Sequence, residues 1–400
     1  MNIDNIINKL SFEDYSNISD ESWPNYQDFI NGNCPDQIYG EVNEFLLNQL
    51  SVPETFCVNP FYAYEIPGNT HCCIMKKTNN IENVRQQLLS GQRPQECDAC
   101  WKLEDAGIKS DRMIKNESLD FYTDIDISMW YENALYSKSK EIRMLKVDTS
   151  NKCNSACLTC GPGASTHWRS LLDKNNVSNQ GKSWTIPLSD IEKSIDLSSL
   201  EMITFRGGEP FLSQTNFEIL DKLHGLKNHK CFISFVTNGS LRPNKRMTNI
   251  LKKFDNVNFC FSVDGIGSVF EYMRYPLSWK TCEDNIAWAK DNGFDVSVSY
   301  TLSNINIWYH DETVSWFNEN NIPYLVNPVY SPNHFALNNM PKNAKEKAFN
   351  IFPELMKYFT TIGDTKDWTE TKHAINLQDS WKKISINDFM PRTAKILDEW

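Results

Sequence analysis

From about residue 140 onward, short apolar runs alternate with amphipathic stretches, and no other feature of the chain constrains its fold as much. Six runs read as strands: IRMLKVD (ending at Asp148), MITF (202–205), CFISFVT (231–237), VNFCFSV (257–263), DVSVSYTL (295–302) and PYLVNPVY (323–330). Between them LSDIEKSIDL, TNFEILDKLHGL, NKRMTNILKKF, CEDNIAWAKDNG and TVSWFNENN carry apolar residues at helical spacing, and several close on Gly or Asn. Repeated βα units predict parallel strands joined by right-handed crossovers. The complete barrel of this kind has eight units, so the predicted fold class is α/β, a partial (β/α)6 TIM-like barrel over residues 140–335. Sites in such barrels lie at the C-terminal strand ends. The loop that leaves the first strand therefore falls on the functional face.

The chain has 400 residues, room for one large domain and a smaller one. Residues 1–50 read as a helical lead-in, 51–115 as a small cysteine-rich module, and 340–400 as a helical C-terminal extension whose clearest piece is AKEKAFNIFPELMKYF. A formal net charge of −11 gives no global electrostatic reason to bind nucleic acid or an anionic membrane. The opening MNIDNIINKLSFEDYSN has no basic stretch followed by an apolar one, and nowhere does an uninterrupted apolar run approach membrane-spanning length. The expected compartment is the cytoplasm. There, twelve cysteines read more naturally as metal ligands than as a disulfide framework.

The cysteines are clumped. NKCNSACLTCG (151–161) holds Cys153, Cys157 and Cys160 in C-x3-C-x2-C spacing, and Cys57, Cys72, Cys73, Cys97 and Cys100 form an N-terminal group. Cys231 and Cys260 sit in apolar runs, where cysteine is usually a small buried hydrophobe. A closed structural zinc site needs four ligands, and His167 or a distant cysteine would have to supply the fourth beside the triplet. Three thiolates alone suit an iron–sulfur cluster with one iron left open to a substrate or cofactor.

The context of the triplet resembles the radical S-adenosylmethionine (radical SAM) superfamily. TSNKCNSACLTC matches the cluster loop of that family, including the Asn after the first cysteine. About 55 residues later FRGGEP matches the GGE motif with Gly207, Gly208 and Glu209; TNGS follows with Asn238 and Gly239, SVDG with Ser262 and Asp264, and EYMRYPLSWK with Arg274. Taken singly each is an ordinary turn or surface charge; the ordered set at successive strand ends carries the resemblance, over about residues 140–335. It implies a 4Fe–4S cluster on Cys153, Cys157 and Cys160 and SAM bound by Gly207, Gly208, Glu209, Asn238, Ser262, Asp264 and Arg274. Reductive cleavage of SAM then yields a 5′-deoxyadenosyl radical that abstracts hydrogen from a substrate, a peptide being one class such enzymes modify. The implied partners are that substrate and an electron donor such as flavodoxin or ferredoxin. Where many members carry an aromatic residue before the third cysteine this chain has Thr159; Trp168 is a candidate to pack on the adenine, a core tryptophan the other reading.

The N-terminal group has Cys57, ten residues, Gly68, four residues and Cys73, then Cys97 and Cys100 as C-x2-C. This is similar to the twitch and SPASM auxiliary-cluster modules of radical SAM enzymes, although those usually follow the barrel. The similarity implies a second cluster on Cys57, Cys73, Cys97 and Cys100, with Gly68 in a turn between two short strands and Cys72 as the alternative to Cys73. Zinc on the same four thiolates is the competing reading, and a zinc-binding structural protein without catalysis is the competing function.

Overall fold

Seven parallel strands form one sheet in the order β1 to β7: Ala63–Ile66, Met144–Asp148, Met202–Arg206, Phe232–Thr237, Val257–Ser262, Asp295–Leu302 and Tyr324–Pro328. The structure is a computed structural model and describes residues 12–19, 22–35, 37–39, 41–42, 51–68, 70–72, 75–123, 126–136, 141–178, 181–359 and 367–399. Strands β2 to β7 are the six expected from the apolar runs. The seventh, β1, comes from AYEI inside the segment read as a cysteine-rich module and pairs parallel with β2. The sheet is thus one strand larger than the expected six, and it curls into an open half-barrel of the TIM type.

Alternation along the strands separates the two faces. Leu145, Val147, Ile203, Phe205, Phe235 and Phe259 enter one core with residues of the covering helices, among them Ile219 and Leu223. Those helices are α1 (Thr166–Lys174), α2 (Gln214–Gly225), α3 (Lys245–Leu251), α4 (Gly267–Met273), α5 (Trp279–Asp291), α6 (His310–Glu319) and, after β7, α7 (Thr369–Lys382). Ser165 caps α1 by accepting from the Trp168 amide at 3.2 Å, and Asn244 caps α3 by accepting from the Met247 amide at 2.9 Å. LSDIEKSIDL forms only a short helix, Leu188–Ile191, because Asp196 accepts from the Ser198 amide and starts a separate 3-10 turn. Pro353 likewise converts the end of AKEKAFNIFPELMKYF from α-helix, over Lys342–Ile351, into 3-10 helix.

The opposite face of the sheet is polar. Glu65, Lys146, Thr204, Ser234, Asn258 and Asp295 stand in register, one from each of β1 to β6. The Lys146 Nζ lies 3.1 Å from Glu65, and Asn258 donates to Ser297 at 3.0 Å and to Ser234 at 3.4 Å.

The chain divides into two compact units. The barrel unit comprises Ala63–Cys73, Leu103–Ile108 and Ile142–Trp400, so the C-terminal extension belongs to it. The other comprises Met1–Tyr62, Ile74–Lys102 and Lys109–Glu141; among its described residues the longest helices are Ile81–Leu89, Asp111–Thr123 and Ile127–Tyr136. Tyr15, Phe29, Tyr39 and Val42 make one of its apolar clusters. Among the described residues, no helix is long and apolar enough to cross a membrane.

Candidate active site

The three cysteines lie in the loop between β2 and α1, beyond the C-terminal end of β2. Backbone pairing holds the loop against the end of α4: the Ala156 amide donates to the Tyr275 carbonyl at 2.6 Å and the Leu158 amide to the Met273 carbonyl at 2.7 Å. That pairing sets Arg274 opposite Cys157, with Nη1 3.9 Å from Sγ. Asn238, just past β4, directs Nδ2 at Cys153 Sγ from 3.9 Å and donates to Asn154 Oδ1 at 2.9 Å. Asn154 Nδ2 donates to Ser240 Oγ at 2.9 Å, which closes a small polar clasp over the loop. Ser155 Oγ stands between two sulfurs, 3.2 Å from Cys153 and 3.4 Å from Cys157.

The donor set fits an iron–sulfur cluster. Two of three sulfurs already have N–H donors aimed at them, the arrangement that stabilises ligating thiolate and tunes a cluster. Burial pushes the Cys157 thiol up against the pull of Arg274, so its ionisation must accompany metal binding. Among the described residues no three His, Cys, Asp or Glu side chains are arranged to hold a single metal ion. His167, the alternative fourth ligand for zinc, packs edge-on against Tyr275 with ring centroids 6.5 Å apart.

The GGE turn follows β3 and its glycines serve the cysteine loop. The Gly208 amide donates to the Ser150 carbonyl at 3.0 Å, and the Glu209 amide to the Lys152 carbonyl at 2.7 Å. A Cβ on Gly208 would lie 2.1 Å from the Lys152 carbonyl oxygen; Gly207, at φ +103°, would place one 2.6 Å from that of Ser150. The Glu209 carboxylate is 1% exposed and turns inward, accepting from Thr237 Oγ1 and the Asn238 amide, both at 2.8 Å, and from the Phe211 amide at 3.3 Å. Burial outweighs these donors and pushes its pKa from 4.5 up to about 7.

A carboxyl with a raised pKa binds its proton more tightly folded than unfolded. Its contribution to stability is full below pH 4.5 and is lost as pH rises through about 7. In the metal-free chain the thermal midpoint should therefore fall across that window. Glu209→Gln should flatten the fall, which corresponds to about 3 kcal/mol at the limit. Melting curves at stepped pH check this; parallel profiles for the two proteins refute it.

Asp264 and Arg274, expected to meet SAM separately, pair with each other at 2.8 Å; the Arg274 Nε is buried without a hydrogen-bond partner. Asp264 is 1% exposed, and its carbonyl accepts from Asn306 Nδ2 at 2.6 Å. Ser262 ends β5 and is half-buried. Trp168 is a core residue: it packs with Ala156, Leu171 and Leu172 and donates Nε1 to the Cys157 carbonyl at 2.9 Å. α7 lies in the expected helical extension, but the sequence reading missed its contact with the loop, where Gln378 donates Nε2 to the Leu158 carbonyl at 3.1 Å. No local motif announces a contact across 220 residues.

The N-terminal cysteines divide. Cys57, Cys97 and Cys100 belong to the helical unit, with Cys97 ending the 3-10 helix Gln95–Cys97 and Cys100 in the helix Asp98–Asp105. Cys72 belongs to the barrel unit; Cys73 lies outside the described residues. Gly68, at φ +124°, follows β1 in a turn closed by an antiparallel bridge between Glu65 and Thr70.

Residues 147–317 match the family model described as Radical SAM superfamily. This span contains the cysteine loop, the GGE turn, Asn238, Ser262, Asp264 and Arg274, so the similarity to the radical SAM superfamily covers the candidate site. No curated protein matches the chain. Among solved structures it is similar to anSMEcpe with bound AdoMet at 18% identity and a TM-score of 0.39, over 55% of this chain and 63% of that one. It is also similar to SuiB of Streptococcus suis bound to the precursor peptide SuiA, at 15% identity and a TM-score of 0.37, over 74% of this chain and 62% of that one. Methylornithine synthase (PylB) is a third, at 12% identity and a TM-score of 0.37, over 69% and 77%.

Proposed function

We propose that this chain is a radical SAM enzyme, with a 4Fe–4S cluster on Cys153, Cys157 and Cys160 and SAM beside it. The observation that carries the reading is the loop itself: three thiols at a strand end, two of them met by N–H donors, inside a span that matches the family. The bound cluster supplies the electron that cleaves SAM to methionine and a 5′-deoxyadenosyl radical, which removes hydrogen from the substrate. Gly207 and Gly208 let the strand end close on the loop. Because the Glu209 carboxylate is taken by Thr237 and Asn238, this turn would meet the methionine amino group through its backbone. Arg274 would hold the SAM carboxylate with its remaining Nε, Asp264 orients Arg274, and Ser262 would take a ribose hydroxyl. Asn238 steadies the loop from the other side.

The substrate is polar, a peptide being the class that fits best. The in-register row from Glu65 to Asp295 offers charged, hydroxyl and amide groups across the open half-barrel, suited to peptide amides and polar side chains. The spacing of the N-terminal cysteines supports a second cluster or zinc, to which Cys57, Cys97 and Cys100 of the helical unit would contribute. The electron comes from a donor such as flavodoxin or ferredoxin in a reducing cytoplasm.

The test is iron and acid-labile sulfide per chain after anaerobic reconstitution, beside a Cys153→Ala, Cys157→Ala, Cys160→Ala variant. About eight irons falling to about four is expected if both sites hold four-iron clusters, and about four falling to none if the auxiliary site holds zinc. Wild-type protein supplied with dithionite and SAM should release 5′-deoxyadenosine, and the variant none. Zinc without iron or sulfide would overturn the reading in favour of a structural metal protein.

A further inference from the structure

Helix α7 brings a buried lysine to the cysteine loop. Lys382 is 3% exposed. Its Nζ donates to Gln378 Oε1 at 2.8 Å and lies 4.9 Å from the ring centroid of Trp168 and 5.9 Å from that of Tyr275. Each of these three neighbours is itself attached to the loop: Gln378 to the Leu158 carbonyl, Trp168 to the Cys157 carbonyl, and Tyr275 through its carbonyl to the Ala156 amide.

No anion touches the ammonium among the described residues; Asp379 acts on it only from a distance. Among the described residues no carboxylate approaches Lys382 Nζ within 4.0 Å in an ion pair. The nearest acidic residue in sequence, Asp379, is committed to Tyr272 Oη and the Ile386 amide, both at 2.8 Å. One neutral acceptor and two ring faces do not offset the several kcal/mol needed to desolvate an ammonium. Buried lysines are almost always paired. The backbone groups that anchor the cage of Lys382, at Ala156, Cys157 and Leu158, lie within four residues of both Cys157 and Cys160, so a cluster on those cysteines would bring negative charge to the lysine's side of the loop.

We infer that Lys382, held by Trp168, Tyr275 and Gln378, is the built-in counter-charge of the cluster on Cys153, Cys157 and Cys160 and favours its reduced, more negative state. The inference rests on the cluster reading above. Lys382 is a positioning residue: it touches neither substrate nor iron and acts through the field at the thiolates. One-electron reduction adds a negative charge to the cluster, and a fixed cation beside it makes that addition easier. The cluster's charge acts on the lysine only when the cluster is present, so the lysine stabilises the loaded protein and burdens the metal-free one.

Two measurements on Lys382→Met, which keeps the length and removes the charge, test this. In reconstituted protein of matched iron and sulfide content, the cluster midpoint from an EPR-monitored redox titration should move negative by about 59 mV or more, a roughly tenfold loss of reduced fraction at fixed potential. In metal-free protein the thermal midpoint should equal or exceed that of the wild type, because an uncompensated buried charge has gone. Lys382→Arg, which retains the charge, should keep the wild-type midpoint potential. A loaded Lys382→Met with unchanged potential, or a metal-free Lys382→Met that melts below the wild type or fails to fold, overturns the inference. Wild-type protein that takes up no iron and sulfide overturns the cluster reading and this inference with it.

Discussion

A single methyl group at Gly208 is expected to unseat the cysteine loop. The added Cβ of Gly208→Ala would lie 2.1 Å from the Lys152 carbonyl oxygen and 2.5 Å from its carbonyl carbon, both rigid backbone atoms one residue from Cys153. The loop would have to retreat by about 1 Å, and close-packed interiors do not yield that cheaply. Retreat also breaks the bonds from the Gly208 amide to Ser150 and from the Glu209 amide to Lys152. A loss of at least about 2–3 kcal/mol in stability follows, together with most of the reconstituted iron. Gly161→Ala is the matched control, since a Cβ there meets nothing within 4 Å. Urea midpoints and iron per chain on the two variants decide the matter; equal values would show that the close approach carries no weight.

The second large effect is expected at the buried ion pair. Asp264 and Arg274 have side chains 1% and 10% exposed and lie 2.8 Å apart. Asp264→Leu leaves the Arg274 guanidinium without its anion beside Cys157, and breaking such a pair costs about 3–5 kcal/mol. Adding Arg274→Met should restore much of the loss, because an apolar pair replaces a stranded charge. Denaturant unfolding of both single variants and the double variant closes the cycle. A double variant no better than Asp264→Leu alone would mean that the aspartate acts through something other than this arginine.

Strands β2 to β7 were legible in the sequence because each is an apolar run between turn residues, and four of the five amphipathic stretches between or beside them form helices of seven residues or more. β1 was not. AYEI has four residues with Glu65 in the middle, and its pairing with β2 depends on a strand some 80 residues away in a different sequence context. At the site, the cysteines and the strand-end motifs were visible as local patterns. Their physics was only partly so: the GGE glycines admit the cysteine loop itself, and Arg274 answers Cys157 and Asp264. Gln378 and Lys382 carry no signature, because a lysine on a polar helix reads the same whether it faces solvent or a cluster.

That distant closure has a consequence for how the protein is made. The loop around Cys157 is synthesised long before helix α7, and contacts of such separation form late. Until Lys382 has left the ribosome, the loop lacks the Gln378 bond to Leu158 and the cation behind Trp168. Delivery of iron and sulfur to the nascent chain would meet an unfinished seat. Cluster insertion is therefore expected to follow the folding of α7, and a chain cut short before residue 369 should emerge with its cysteines intact and its cluster absent.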